Sequence, residues 1–549
     1  MPSNKEAIKK VFGELPLTAE VYWLLRQNDR PTPSNFSLRN IQESLPDTVK
    51  EVAKHRAESP AGKNVFMFAS THYWLEHEVM TSLALAGLGH NVTLAYYPYG
   101  RWHVETTQFD TRRQNMYAST VLRPASSVMH FENLLRSNSS FIQLPSQILA
   151  SVEQVTEYDY MYAFQTEEIN REDPFFTFRY YRNLHAAKAL YTYLRASKPD
   201  VAIIPNGTIL EFGVAFRVCQ YLKIPTTTYE FSDKHGSMWL AHNEEIMQQN
   251  TDHLWNAYLP SHLSQSELEE AQTLVSSRKN ASSYGDYSRK WQRIPAEGQA
   301  VIREKLGLTD APIVLLATNV LGDSLTLGRN IFSKSMSEWI LRTIQYFIEK
   351  PDVQLVIRVH PGEALIKHGT ILDLIKKTLP QLPPHIHLIE PLADINTYDL
   401  MDIADLGLVY TTTVGLEMAL RGIPVIVAGK THYRNRGFTQ DPNTWVDYFK
   451  LLNKLLANIQ EFRLNENQLA LAWKYTYLFF FKYPLPFPWH MVFRGKDFKE
   501  VPMTEVLSEA GLNKYKATFD LNTFPDAFDQ IGNDRDESNA PLATRRLQK

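Results

Sequence analysis

Short apolar runs alternate with helical stretches along most of the chain. The first run, Val65–Ala69, is followed by the polar loop Ser70–Trp74, a helical pattern from Leu75 to Leu88 closed by Gly89, and a second run, Val92–Tyr96. Strand, loop, helix and strand in that order make one βαβ unit. A second unit runs through helix Tyr180–Ala196, strand Val201–Ile204, loop Pro205–Gly207, helix Ile209–Leu222 and strand Thr226–Glu230. Residues 262–305 are polar and helical, with a break at Ser276–Asn280. A new series follows, with strands Ile313–Thr318, Gln354–Val359, Ile386–Ile389, Leu406–Tyr410 and Val425–Ala428. Helical patterns separate them at Ser335–Lys350, Ala364–Thr378, Thr397–Ile403 and Val414–Arg421. Apolar strands alternating with helices imply parallel sheets covered on both faces. The expected class is therefore α/β, with two Rossmann-like domains facing a central cleft.

The flanks read differently. Residues 1–60 are polar and mostly helical, punctuated by Pro31, Pro33 and Pro46. The expected organisation is a helical extension over 1–60, a first Rossmann-like domain over 61–305 and a second over 306–445. Aromatic-rich helices crossing back follow over 446–500, and a mostly irregular tail over 501–549. The stretch Trp473–Phe493 is unusually aromatic, but it is short and broken by prolines. It is read as a segment packing on the first domain, with an aromatic belt resting on a membrane as the alternative. The tail after Pro525 is charged and polar, a composition that resists folding.

Composition narrows the partners. The 549 residues carry 57 Lys+Arg against 60 Asp+Glu, a net charge of −3, which gives no global field for nucleic acid. Length allows about three or four domain-sized units, or two large ones. The one cysteine, Cys219, sits in the apolar pattern Phe216–Leu222 and is read as packing, which suits a reducing compartment. No run approaches the roughly 18 apolar residues of a membrane span, and no signal peptide is visible. The expected location is the cytoplasm, with peripheral contact at the inner face of the cytoplasmic membrane as a further expectation.

In open parallel sheets, ligands bind beyond the carboxyl ends of the strands. Four loops of the second half lie there. Asn319–Ser324 offers Gly322 for close backbone approach, and Asp323 and Ser324 to bond a hydroxyl or phosphate; the same residues also serve as turn and cap chemistry. Arg358-Val359-His360-Pro361-Gly362-Glu363 places an imidazole where a strand runs out, able to donate to a leaving phosphate, with Arg358 adding positive field. Thr411, Thr412 and Thr413 precede a helix, and hydroxyls beside free amides make an anion site. Glu417 follows Thr413 by one turn, where a carboxylate can accept ribose hydroxyls or merely stabilise the helix dipole. Lys430–Thr439 brings Lys430, Arg434 and Arg436 with two glycines.

His360-Pro361, Thr411–Thr413, Gly415-Leu416-Glu417, Gly422–Val425 and Tyr433…Gly437-Phe438-Thr439 together resemble the capsule polysaccharide biosynthesis family. That family includes capsule Kdo-transferases and is similar to other GT-B glycosyltransferases that use CMP-sugars. The match covers about 310–440, and the Gly322-Asp323-Ser324 loop looks like the family's D-x-S element. The resemblance implies that His360, Pro361 and Thr411–Thr413 hold the nucleotide and its phosphate, although relatives often have Ser where this chain has Thr. It also implies a nucleotide-sugar co-substrate with no metal and no other cofactor. The only Asp-x-Asp, Asp534-Arg535-Asp536, lies in the tail.

An acceptor alcohol needs a base to attack an anomeric carbon. Glu230, Asp233 and His235, after strand Thr226–Glu230, are the candidates, Asp233 first; His72 and Glu76 are acceptor-side candidates after the first strand. Each also reads as a capping or ion-paired surface residue. The expected function is sugar transfer from a nucleotide-sugar, CMP-linked, to a glycan or lipid-linked acceptor. Rivals are a CDP-polyol phosphotransferase of the teichoic-acid type, a sugar-nucleotide 2-epimerase and a non-enzymatic export or assembly protein.

Overall fold

The computed structural model describes residues 4–523 except 29–31, 34, 138, 140, 283, 286, 288–293, 366–368 and 491–495. The apolar runs form two sheets. The first holds β1 (Asn64–Ser70), β2 (Asn91–Tyr97), β3 (His130–Asn133), β4 (Val201–Pro205), β5 (Thr226–Phe231) and β6 (Ser237–His242). The second holds β7 (Ile313–Ala317), β8 (Gln354–Arg358), β9 (Ile386–Ile389), β10 (Leu406–Val409) and β11 (Val425–Val427). A last strand, β12 (Leu485–Pro486), returns to the first sheet.

Both parallel sets share one order. The first reads β3-β2-β1-β4-β5 and the second β9-β8-β7-β10-β11. In each, the chain starts in the middle, runs to one edge, then returns past its first strand. The reversals fall between β1 and β4 and between β7 and β10. Loops diverge there and leave a crevice at the carboxyl edge. This is the GT-B-like arrangement of two Rossmann-like units.

Strand alternation assigns each side chain a face. Val65, Met67 and Ala69 of β1 enter one core, and Phe66 and Phe68 the other. In β7, Ile313, Leu315 and Ala317 face one core while Val314 and Leu316 face the opposite one. Helix Met336–Ile348 covers the second face, burying Met336, Trp339, Ile340, Thr343, Ile344 and Phe347 at helical spacing.

Three strands escaped the sequence pattern. β3 is short and polar, and β12 is two residues ending in a proline at the sheet edge. β6 matters most. It pairs antiparallel with β5, and its two faces belong to different cores: Met238 and Leu240 pack with the first sheet, Trp239 and Ala241 with the second. One strand thus couples the two halves.

The aromatic segment is core, not a lipid belt. Tyr475, Phe479, Phe480 and Tyr483 pack in the second half, then Leu485, Phe487 and Trp489 in the first, with β12 antiparallel to β6. The reading as a packed segment therefore describes it better than the aromatic-belt alternative, since Tyr475, Phe479, Phe480, Tyr483, Phe487 and Trp489 are buried against protein; Met491–Phe493 lie outside the described residues. The expected irregular tail is also corrected. Helices Met503–Val506 and Glu509–Thr523 bury Met503, Val506, Tyr515 and Phe519 against the first sheet. The charged stretch after Pro525, with Asp534–Asp536, lies outside the described residues. Cys219 is buried as packing, its thiol pushed up to about 12 by burial.

A buried charge network locks the carboxyl edge of the first sheet. Arg179 donates from Nε to Asp159 Oδ2 (3.0 Å) and from Nη1 to Glu211 Oε1 (3.1 Å), and Arg182 pairs with Glu211 at 2.6 Å. Ser70, at the end of β1, donates to Glu211 Oε2 (2.9 Å). Asp159 Oδ1 accepts the N–H of Leu210 (2.6 Å), which opens helix Leu210–Tyr221 with φ of 57°. Burial alone would raise Glu211, but the Arg179 and Arg182 guanidiniums outweigh it and bring the carboxyl down to about 2. A depressed carboxyl contributes stability above its unfolded value that is lost as pH falls through its folded value. Glu211→Gln should therefore cost about 3–5 kcal/mol at neutral pH by urea unfolding. The difference from wild type should shrink as pH falls from 4.5 toward 2. A difference constant over that window would contradict the pairing.

Candidate functional site

The four loops read from the sequence are joined by direct hydrogen bonds at the carboxyl edge of the second sheet. Thr318, just after β7, accepts the N–H of His360 on Oγ1 (3.0 Å). Asn319 Oδ1 accepts the N–H of Thr411 (3.2 Å), spanning the reversal between β7 and β10. Thr431 Oγ1 donates to the Thr411 carbonyl (3.3 Å), and Tyr433 Oη donates to the Thr412 carbonyl (2.5 Å). Lys430 N–H reaches the Arg329 carbonyl, and Arg329 Nη1 the Lys430 carbonyl, both at 2.8 Å. A Cβ on Gly429 would lie 2.9 Å from Thr411 Cγ2, so glycine lets these loops touch.

Within this cluster the side chains divide. Thr411 is buried, and its Oγ1 has no hydrogen-bond partner. Buried hydroxyls are normally satisfied, which sets this one apart from the other polar groups of the four loops. Thr412 is buried beside it, and its Oγ1 accepts the N–H of Val414 (3.4 Å). Thr413 is half-buried at the start of helix Val414–Ala419 and makes no side-chain cap. His360 is half-buried, and its Nδ1 accepts the N–H of Gly362 (3.0 Å). That contact leaves the ring proton on Nε2 in the neutral imidazole, making Nε2 the donor. Pro361 begins the turn Pro361–Leu365, whose Glu363 receives the N–H of Ile371 (3.1 Å). Lys430 is exposed.

Other candidates are spent on the fold. Asp323 Oδ1 caps the N–H of Leu325 (2.8 Å), and its carbonyl accepts from Thr326: turn chemistry, beside a half-buried Ser324. Gly322, at φ of 66°, approaches protein; a Cβ would lie 2.1 Å from the Met161 carbonyl. Arg358 turns inward and donates from Nη1 to the Glu390 carbonyl (2.7 Å), while burial brings its pKa down to about 10. Glu417 is no ribose clamp, because its Oε1 already accepts from Arg278 Nη1 (3.0 Å) and Tyr398 Oη (2.9 Å) in a buried site. Arg434 and Arg436 are likewise buried, Arg434 on the Pro442 carbonyl and Arg436 on Asp252 (both 2.6 Å). The basic loop thus presents Lys430.

The first sheet's candidates also separate. Glu230 accepts from the Asn206 amide (3.2 Å) and the N–H of Phe231 (3.0 Å), and burial raises its pKa. Asp233 acts on Tyr287 and His490, and His235 meets Asp497 at 3.4 Å, so this pair faces the returning C-terminal segment. Glu76 is buried and caps Asn40 through its N–H (3.0 Å) and amide (2.8 Å), with burial raising it to about 7. That removes it from the acceptor side. His72 Nδ1 lies 3.2 Å from the Gly100 carbonyl.

Tyr162 is the residue that sequence reasoning missed. Burial pushes its hydroxyl up to about 12, aided by the charges of Asp323 from the second half and Glu230 from the first. The neighbouring Met161 carbonyl lies against Gly322 of the second half, where the two carboxyl edges meet. Nearby, Glu167 accepts the N–H groups of Met336 (2.9 Å) and Ser337 (2.8 Å), fastening a first-half segment onto a second-half helix. One tyrosine in an aromatic-rich helix carries no sequence signal. Among the described residues no group of His, Cys, Asp or Glu converges as a metal site.

Two Rossmann-like units meeting at their carboxyl edges, with an unsatisfied threonine hydroxyl between loops, define a ligand-binding protein of the GT-B-like class. Residues 235–459 match the model of the capsule polysaccharide biosynthesis protein family. The matched span holds all four loops and the bridging strand β6, and excludes β1–β5. Solved structures overlay loosely. KpsC, beta Kdo 2,4 transferase, of Thermosulfurimonas dismutans is 16% identical over 52% of this chain and 81% of its own, with a TM-score of 0.34. The KpsC beta Kdo 2,7 transferase from that organism gives 14%, 57%, 89% and 0.32. A UDP-GlcNAc 2-epimerase of Neisseria meningitidis, bound to UDP-GlcNAc, gives 15%, 76%, 100% and 0.24. No curated protein matches the chain.

The Arg278–Glu417 pair gives a stability test. Arg278→Ala leaves a buried carboxylate unpaired and should lower unfolding free energy by about 3–5 kcal/mol in urea. A change within about 0.5 kcal/mol would show the pair to be dispensable.

Proposed function

We propose that this protein is a glycosyltransferase of capsule or surface-polysaccharide assembly. It moves a sugar from a nucleotide-sugar, CMP-linked, to a glycan or lipid-linked acceptor between the two carboxyl edges, with no metal. The observation that carries this reading is the buried, unpartnered Oγ1 of Thr411, whose backbone is held between Asn319 and Thr431. A hydroxyl donor, an Nε2–H donor and an exposed ammonium on adjoining loops suit a phosphate oxygen. The match of 235–459 to the capsule polysaccharide biosynthesis family supports the same assignment of the second half.

The roles follow from chemistry. His360 donates to the departing phosphate as charge builds on it. Thr411 and Thr412 fix the phosphate, and Lys430 adds positive charge. Among the first-half candidates, Glu230 takes the place of Asp233 as the base. It lies at the carboxyl end of β5, and burial raises its pKa above the ordinary carboxylate value, which makes it a better proton acceptor.

Three measurements test this. In a thermal-shift series over CMP, CDP, UDP and GDP compounds, a cytidine nucleotide at 100 times its Kd should add about 2.7 kcal/mol of stability. No stabilisation by any of the four sets would remove the donor site. Thr411→Val keeps the shape while deleting the hydroxyl. It should leave the nucleotide-free melting temperature unchanged and weaken nucleotide binding by about tenfold. His360→Ala should cut turnover by about 10²–10³-fold with the fold intact. Unaltered turnover would strip His360 of its role, and a phosphodiester-linked product would favour the polyol phosphotransferase instead.

A further inference from the structure

The loop after β4 stands at the reversal of the first sheet, where a crevice opens at the carboxyl edge. Its first residue, Asn206, is buried and holds a left-handed backbone with φ of 60°. Non-glycine residues rarely sit there, and such strain persists where surrounding contacts enforce it. The Asn206 N–H donates to the Tyr229 carbonyl (2.8 Å), which aligns the loop with the end of β5. Its side-chain Oδ1 accepts the N–H groups of Thr208 (3.1 Å) and Ile209 (3.3 Å). Two N–H donors at one end of the amide decide which end is the oxygen. The other end, Nδ2, therefore points at Glu230 and donates to its Oε2 (3.2 Å). Thr208 extends the tie, because its hydroxyl donates to Glu245 Oε2 (2.9 Å) and Glu245 Oε1 pairs with Arg217 (2.9 Å).

Glu230 thus has one donor on each oxygen, and each oxygen keeps a second lone pair. The two donors differ in kind. The N–H of Phe231 belongs to the next residue and moves with Glu230 itself. The Asn206 amide comes from the neighbouring strand's loop, so it fixes the carboxylate relative to the rest of the sheet. Burial pushes Glu230 up, and the Phe231 and Asn206 bonds pull against that shift. Tyr229 on β5 and Tyr162 on helix Ser146–Phe164 register the Glu230 charge from the two sides.

We propose that Asn206 is the positioning residue for Glu230, fixing from the loop after β4 the direction in which that carboxylate meets the acceptor hydroxyl. This rests on the reading of Glu230 as the base. In the transfer, the acceptor oxygen bonds to the anomeric carbon and the hydroxyl proton moves to Glu230. The bond from that carbon to the phosphate oxygen breaks, and its electron pair leaves on the nucleotide. A carboxylate free to swing would often be out of line with that proton. The neutral amide also favours the ionised form, which is the form that takes a proton, without cancelling its charge as a lysine or arginine would.

The test is a pH titration of the full chain without substrate, read as the protonated-carboxyl infrared band that Glu230→Gln removes. Asn206→Asp keeps the acceptor for Thr208 and Ile209 but turns the donor into a second carboxylate oxygen. The pair's upper midpoint should then lie at least about one pH unit above the wild-type value. Asn206→Gly suits the left-handed backbone and deletes the amide, and should raise the midpoint by about half a unit. An unmoved midpoint in both variants overturns the proposal even if melting temperatures fall, since lost packing alone would lower stability without moving a titration. The catalytic consequence is read as the pH profile of CMP release from CMP-N-acetylneuraminate. The acid limb of Asn206→Asp should move up with the infrared midpoint, and most of the lost turnover should return at high pH. A limb left in place also overturns the proposal. Glu230→Gln separates the two claims. Turnover at the wild-type rate would remove Glu230 as the base, whatever Asn206 does. An inactive Glu230→Gln beside unaltered Asn206 variants would strike the role of Asn206 alone.

Discussion

Strands β7, β8, β10 and β11 are buried on both faces, and that constraint governs where this protein can do chemistry. A parallel sheet forms only when its crossovers lay helices over both sides. Polar side chains are then pushed to the strand ends. At the carboxyl end of this sheet, the reversal between β7 and β10 parts the loops, and the Asn319–Thr411 bond ties them across the gap. Everything assigned to the site depends on that edge being the polar one.

The two halves do not touch by chance. β6 contributes one face to each core, and the aromatic return from Tyr475 to Trp489 threads from the second core to the first. Glu167 caps a second-half helix from a first-half segment. The loop at Gly322 of the second half packs directly on the Met161 carbonyl of the first. In the first half, the Arg179–Glu211–Arg182 network stiffens the opposing edge. Paired buried charges favour one geometry for that edge.

The candidate site shows how one residue type takes different jobs. Arg358, Arg434 and Arg436 all lie in or beside the site loops, yet each is turned inward and consumed by backbone carbonyls or a carboxylate. Burying a guanidinium demands such partners. Lys430, with its flexible stem, stays in solvent. Glu417 follows the same logic: a carboxylate one turn into a buried helix needs a cation, and Arg278 supplies it.

The period of apolar residues determined the α/β class, nine of the twelve strands with neighbouring helices, and the loops at strand ends that carry His360 and Thr411–Thr413, because those signals are local. The tertiary structure alone decided which of those loop residues remain available. Whether a hydroxyl such as Thr411 Oγ1 is satisfied depends on partners tens or hundreds of residues away. So does the inward turn of the aromatic segment and the outward turn of Leu24 and Leu25: composition marks a side chain as apolar, but only packing against distant elements says which side it faces.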